Sequence, residues 1–131
     1  MIAFDTNVLA RVLLGDDPTQ TRVAERRFLE CSKGSGVFVG HVVLAELAWV
    51  MESGYGLSAA QVRERIASLV RTQGVFVPDL EVVFEALRRD AAGTANLSDY
   101  LILEAARSAG AHRLLTFDKK LAREPDVELA V

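Results

Sequence analysis

Asp5, Glu46, Asp99 and Asp118 are spread over nearly the whole chain, yet each falls where an alternating strand-and-helix fold gathers strand ends and helix starts. Asp5 closes the apolar run Met1-Ile2-Ala3-Phe4 and is followed by Thr6 and Asn7. A buried strand ending this way presents its acid at the carboxyl edge of a sheet, where open α/β sheets bind ligands. Asp118 follows Leu114-Leu115-Thr116-Phe117 in the same manner. Asp99 comes straight after Ser98, which reads as an N-cap, so it falls in the first turn of a helix over Asp99–Ala109. Glu46 lies one to two turns into the helix after Val37-Phe38-Val39 and is the only charge between Val42 and Met51.

Four carboxylates brought to one edge repel one another unless a cation balances them. A hard divalent ion takes oxygen ligands, and magnesium uses one or two carboxylates completed by water and substrate phosphate. Such an ion activates water, stabilises charge on a phosphoryl oxygen and supports in-line displacement. Phosphodiester hydrolysis is therefore the leading chemistry. Two histidines and one cysteine without ligand spacing argue against a soft-metal site.

Taken singly, each acid also has a structural reading. Asp5, Asp99 and Asp118 suit helix caps or first turns, where the helix dipole favours negative charge. Glu46 resists that reading, because its segment is apolar nearly all round and offers no solvated face. Glu25, Glu30, Glu64, Glu81 and Glu85 sit on mixed-charge helical faces and read as solvated, and Asp79 as an N-cap. Asp90 and Glu104 have no assigned role; Glu104, five residues beyond Asp99, does not share its face.

The elements that must position these acids alternate short apolar runs with longer stretches of helical period, the pattern of a parallel sheet wrapped by helices. Strands are expected at Ile2–Phe4, Val37–Val39, Val75–Val77, Leu114–Thr116 and Val127–Ala130. Asp17-Pro18 starts a helix that Gly34-Ser35-Gly36 stops. Ser58-Ala59-Ala60-Gln61 is a capping box whose helix closes at Gly74. Pro78-Asp79 opens a helix through Ala92 with Leu80, Val83, Phe84 and Leu87 on one face. The expected class is α/β, a single domain over residues 1–131.

Composition bounds the alternatives. A chain of 131 residues, half apolar and a quarter charged, is an ordinary globular domain with a real core. The net charge of −3 gives no global attraction to nucleic acid, although 12 of the 15 basic residues are arginine, the side chain suited to phosphate. Cys31 is the only cysteine, so no intrachain disulfide forms; it reads as a half-buried helical thiol, and a reducing, cytoplasmic setting is the default. No basic leader precedes the first apolar stretch, and Val42–Met51 is too short to span a bilayer.

Asp5-Thr6-Asn7-Val8-Leu9, Ala45-Glu46-Leu47, Ser98-Asp99-Tyr100-Leu101-Ile102 and Leu115-Thr116-Phe117-Asp118-Lys119-Lys120-Leu121 together resemble the four acidic motifs of PIN domains, in order and with similar spacing. In length and motif style the chain most resembles VapC-type ribonuclease toxins of type II toxin–antitoxin pairs. The resemblance implies a three-layer α/β/α domain around a mainly parallel sheet of four to five strands. It also implies a Mg2+- or Mn2+-dependent endoribonuclease that leaves a 5′-phosphate. By that resemblance Asp5 and Asp99 are the principal metal ligands, Glu46 and Asp118 complete the acidic pocket through water or a second ion, and Thr6 and Thr116 support it by hydrogen bonding. It further implies a homodimer silenced by a cognate antitoxin whose C-terminal segment brings a basic side chain to the acids.

Lys119, Lys120 and Arg123 beside Asp118, and Arg11 beyond Asp5, are candidate phosphate contacts, each also readable as solvated surface. Trp49 and Phe84 have core spacing, Tyr55 and Tyr100 are expected at the surface, and His41 opens the helix bearing Glu46. Three rival classes fit less well. A haloacid-dehalogenase-like phosphatase needs a general acid where Asn7 stands. A phosphoacceptor receiver needs an adjacent acid pair after the first strand. A non-catalytic PIN-like interaction module differs only in whether the four carboxylates bind an ion.

Overall fold

The computed structural model describes residues 1–131. Apolar runs and helical-period stretches alternate as β1 (Ile2–Ala3), α1 (Thr6–Leu14), α2 (Pro18–Lys33), β2 (Val37–Phe38), α3 (His41–Ser53), α4 (Ala59–Arg71), β3 (Val75–Phe76), α5 (Leu80–Ala92), α6 (Leu97–Ser108), β4 (Leu114–Thr116) and β5 (Val127–Leu129). A short 3₁₀ turn, Leu121–Arg123, joins the last two strands. The fold is α/β, with six helices and all strand pairings parallel.

Five strands appear at the five expected places, in two hydrogen-bonded groups. β1-β2-β3 form one sheet, in the register Ile2↔Val37↔Val75, and β4-β5 form another, with Leu115 opposite Glu128. The ladder on β1 runs to β2 alone, from Ile2 N to the Gly36 carbonyl (2.9 Å) and from Phe4 N to the Phe38 carbonyl (3.1 Å). Strands of two or three residues carry few ladder bonds, so helix packing sets their placement as much as pairing does.

The helix signals act as their chemistry dictates. Asp17 accepts from Thr19 N (3.1 Å) and Gln20 N (3.0 Å) with Pro18 in the first turn, and Gly34 ends α2. Ser58 and Gln61 exchange side-chain and backbone bonds at the start of α4. Gly74, at φ +87°, turns the chain against the Ser32 carbonyl, where a Cβ has no room. Asp79 precedes α5 as expected but makes no side-chain cap; it holds a left-handed conformation (φ 46°, ψ 53°) instead. The face expected on α5 packs inward, with Val83 and Leu87 buried and Leu80 and Phe84 half-buried against the core.

Four expectations fail here. α3 is one-sided: it buries Leu44, Leu47, Ala48 and Met51 and exposes Val42, Glu46 and Trp49, so Trp49 (59% exposed) is not a core residue. Tyr100 is fully buried, because Gly93 leaves space for its ring and its hydroxyl donates to Glu124 Oε1 (2.7 Å). Helix α6 starts earlier than Ser98, with Asn96 as N-cap, which buries Leu97 completely. Cys31 is buried rather than half-buried.

Asp90 and Glu104 become structural ion-pair partners. Arg63 meets Asp90 at 2.8 Å. Arg89 meets Glu104 (2.7 Å), Glu124 (2.9 Å) and Asp126 (2.9 Å), and Arg107 also reaches Glu104 (3.0 Å). This cluster fastens α5 and α6 to the segment leading into β5. No helix is long and apolar enough to cross a membrane.

Candidate functional site

Asp5 leaves β1 in an extended conformation (φ −78°, ψ 160°) and caps α1, its Oδ1 accepting from Thr6 N at 2.7 Å. Thr6 is buried, and its hydroxyl donates to Glu46 Oε1 at 3.1 Å, across 40 residues of sequence. One hydroxyl thus joins the acid-bearing end of β1 to the exposed side of α3.

Asp118 lies two residues past β4 and caps the 3₁₀ turn, Oδ1 accepting from Lys120 N (2.8 Å) and Leu121 N (3.3 Å). Thr116 holds the same turn, its hydroxyl oxygen accepting from Asp118 N (3.0 Å). Asp99 is the third residue of α6, and its Oδ2 accepts from the Asn96 amide at 3.3 Å. Burial pushes the Asp99 carboxyl above the ordinary aspartate range; the Asn96 amide opposes the shift and the charge of Asp118 reinforces it. Asp99 and Asp118 are therefore electrostatic neighbours.

The four acids stand as two pairs, Asp5 with Glu46 through Thr6 and Asp99 with Asp118 through their mutual field. No three histidine, cysteine, aspartate or glutamate side chains stand close enough together to hold a metal ion, so the expected convergence of all four acids on one ion is not seen; the contacts join them only two by two. None of the four enters an ion pair; Asp17, Glu25, Glu52, Glu64, Asp79, Glu81 and Glu128 share that state, whereas Asp16, Glu30, Glu85, Asp90, Glu104, Glu124 and Asp126 are paired. Uncompensated carboxylates that supply only oxygen donors suit a hard divalent ion bound through one or two of them, with water filling the other positions.

The other candidates divide. Lys119, Lys120 and Arg123 are exposed and free of carboxylate partners beside Asp118. Arg11 is committed elsewhere, to Asp16 (2.7 Å), Gln20 (2.8 Å) and the Tyr55 hydroxyl (3.4 Å). His41 is half-buried, with Nε2 on the Pro78 carbonyl.

Glu52, in the last turn of α3, was not singled out by its sequence. Burial pushes its carboxyl up, the charges of Asp90 and Asp99 add to the shift, and the Leu97 amide opposes it. It lines a hollow of about 360 Å³ with Trp49, Ser53, Leu57, Ala59 and Asn96. Its spacing from Trp49, three residues on, makes the two neighbours on α3, whereas six residues set it about 120° round the helix from Glu46. Residues 2–126 match the family profile described as PIN domain. No individually curated protein gives a significant match to the chain.

Proposed function

Because the chain belongs to the PIN domain family, whose fold is nuclease-like, we propose that it is a divalent-metal-dependent endoribonuclease and the toxin of a type II toxin–antitoxin pair. The observation that carries this reading is the Thr6 hydroxyl, which ties the strand end bearing Asp5 to Glu46 across 40 residues in a chain that matches the family over residues 2–126. Asp5 and Asp99 would hold Mg2+ or Mn2+, with Glu46 and Asp118 completing the pocket through water. Such an ion, when bound, lowers the pKa of water and stabilises charge on the phosphoryl oxygens.

The chain's own residues do the rest. Thr6 fixes the Glu46 carboxylate, while Thr116 and the turn amides fix Asp118. Lys119, Lys120 and Arg123 supply uncommitted charge for flanking phosphates, which offsets the negative field of the acids. Hydrolysis adds a water oxygen to phosphorus and breaks the bond to the 3′ oxygen, leaving a 5′-phosphate and a 3′-hydroxyl. A homodimer, and an antitoxin segment that lays a basic side chain on the acids, complete the proposal.

The test is cleavage of total bacterial RNA by antitoxin-free protein with Mg2+ or Mn2+ and with chelator, beside Asp99→Asn prepared identically. Metal-dependent cuts with 5′-phosphate ends that vanish in the variant support the reading. Equal inertness of wild type and variant, with both folded and the wild type binding metal, refutes it in favour of an interaction module. Sedimentation at micromolar concentration checks the dimer, and a strict monomer overturns that part.

A further inference from the structure

No further inference is drawn: the strongest candidate, the groove of about 540 Å³ between α4 and α5 lined by Ala67, Phe84, Leu87, Arg63, Arg71 and Arg88, has two of its three arginines already paired, with Asp90 and Glu85, so its charge selects no occupant and nothing in the structure shows what covers it.

Discussion

Arg89→Met offers the sharpest test of what holds the two acid-bearing C-terminal elements together. The Arg89 side chain is only 10% exposed and donates to Glu104, Glu124 and both oxygens of Asp126. Methionine keeps much of the apolar stem and removes the charge and its donors. Breaking a buried ion pair by deleting one partner costs about 3–5 kcal/mol, because the other charge is left uncompensated. Here the orphaning is partial. Arg107 stays 3.0 Å from Glu104 and 3.5 Å from Asp126, and the Tyr100 hydroxyl still donates to Glu124. The loss should therefore fall at the low end, about 3 kcal/mol. An unfolding entropy of about 2.1 cal/mol/K per residue, over 131 residues, converts this to a fall in Tm of roughly 11 °C.

Arg89 also holds the Asp126 carboxyl below the usual range, chiefly by hydrogen bonding. A depressed acid stabilises the fold above its unfolded pKa and loses that contribution as pH falls through the folded value. The difference between variant and wild type should therefore be full at neutral pH and shrink on acidification, as followed by circular dichroism melts from pH 7 downward. A drop below about 4 °C at pH 7, the scale of an exposed surface pair, would refute the claim that this cluster is the clamp.

Three further outcomes follow from the same geometry. Asp99→Asn should abolish cleavage yet raise Tm at neutral pH: burial lifts the folded carboxyl, and a raised acid opposes folding while ionised. That gain should fade as pH falls toward about 4, the ordinary aspartate value, in calorimetric scans. Gly93→Ala has an ordinary backbone (φ −107°) but puts a Cβ onto the Tyr100 hydroxyl, so urea titration should show a loss of about 1–3 kcal/mol. Adding Tyr100→Phe should make the double variant less destabilised than the two losses combined. Thr6→Val frees Glu46 and should lower kcat with KM nearly unchanged, and Thr6→Ser should restore it.

The places of all five strands were legible as short apolar runs bounded by turn residues; their burial was not, since Ile2, Phe76 and Leu115 are exposed. Helix starts were legible wherever a side chain caps, as at Asp17 and Ser58. At α6 both Asn96 and Ser98 are suitable caps, and what selects Asn96 is the need to bury Leu97, which only packing decides. The exposure of Trp49 was readable from Leu44, Leu47, Ala48 and Met51, spaced as one helical stripe that leaves Trp49 opposite; treating the segment as apolar all round concealed it. The burial of Tyr100 was not readable. It depends on Gly93 and Glu124, and the Arg89 cluster likewise joins residues 15 to 37 apart with no local signature. The four acids stood out in sequence as residue types, but their pairing depends on Thr6 and on the Asp118 turn.

The contrast between the two groups of carboxylates explains why the domain tolerates its unbalanced acids. At the Arg89 cluster, desolvated carboxylates are neutralised by guanidinium groups, and that pairing makes their burial bearable. At the other end, Asp5, Glu46, Asp99 and Asp118 bind backbone amides or a hydroxyl but no cation. Helix and turn N–H groups orient these acids without consuming their charge, since a capping amide leaves the remaining lone pairs of the carboxylate free. An arginine in the same place would have filled the site permanently. The fold thus spends Arg63, Arg89 and Arg107 on anchoring α5, α6 and the segment before β5, and leaves Asp99 and Asp118 held by backbone amides and still available to a cation.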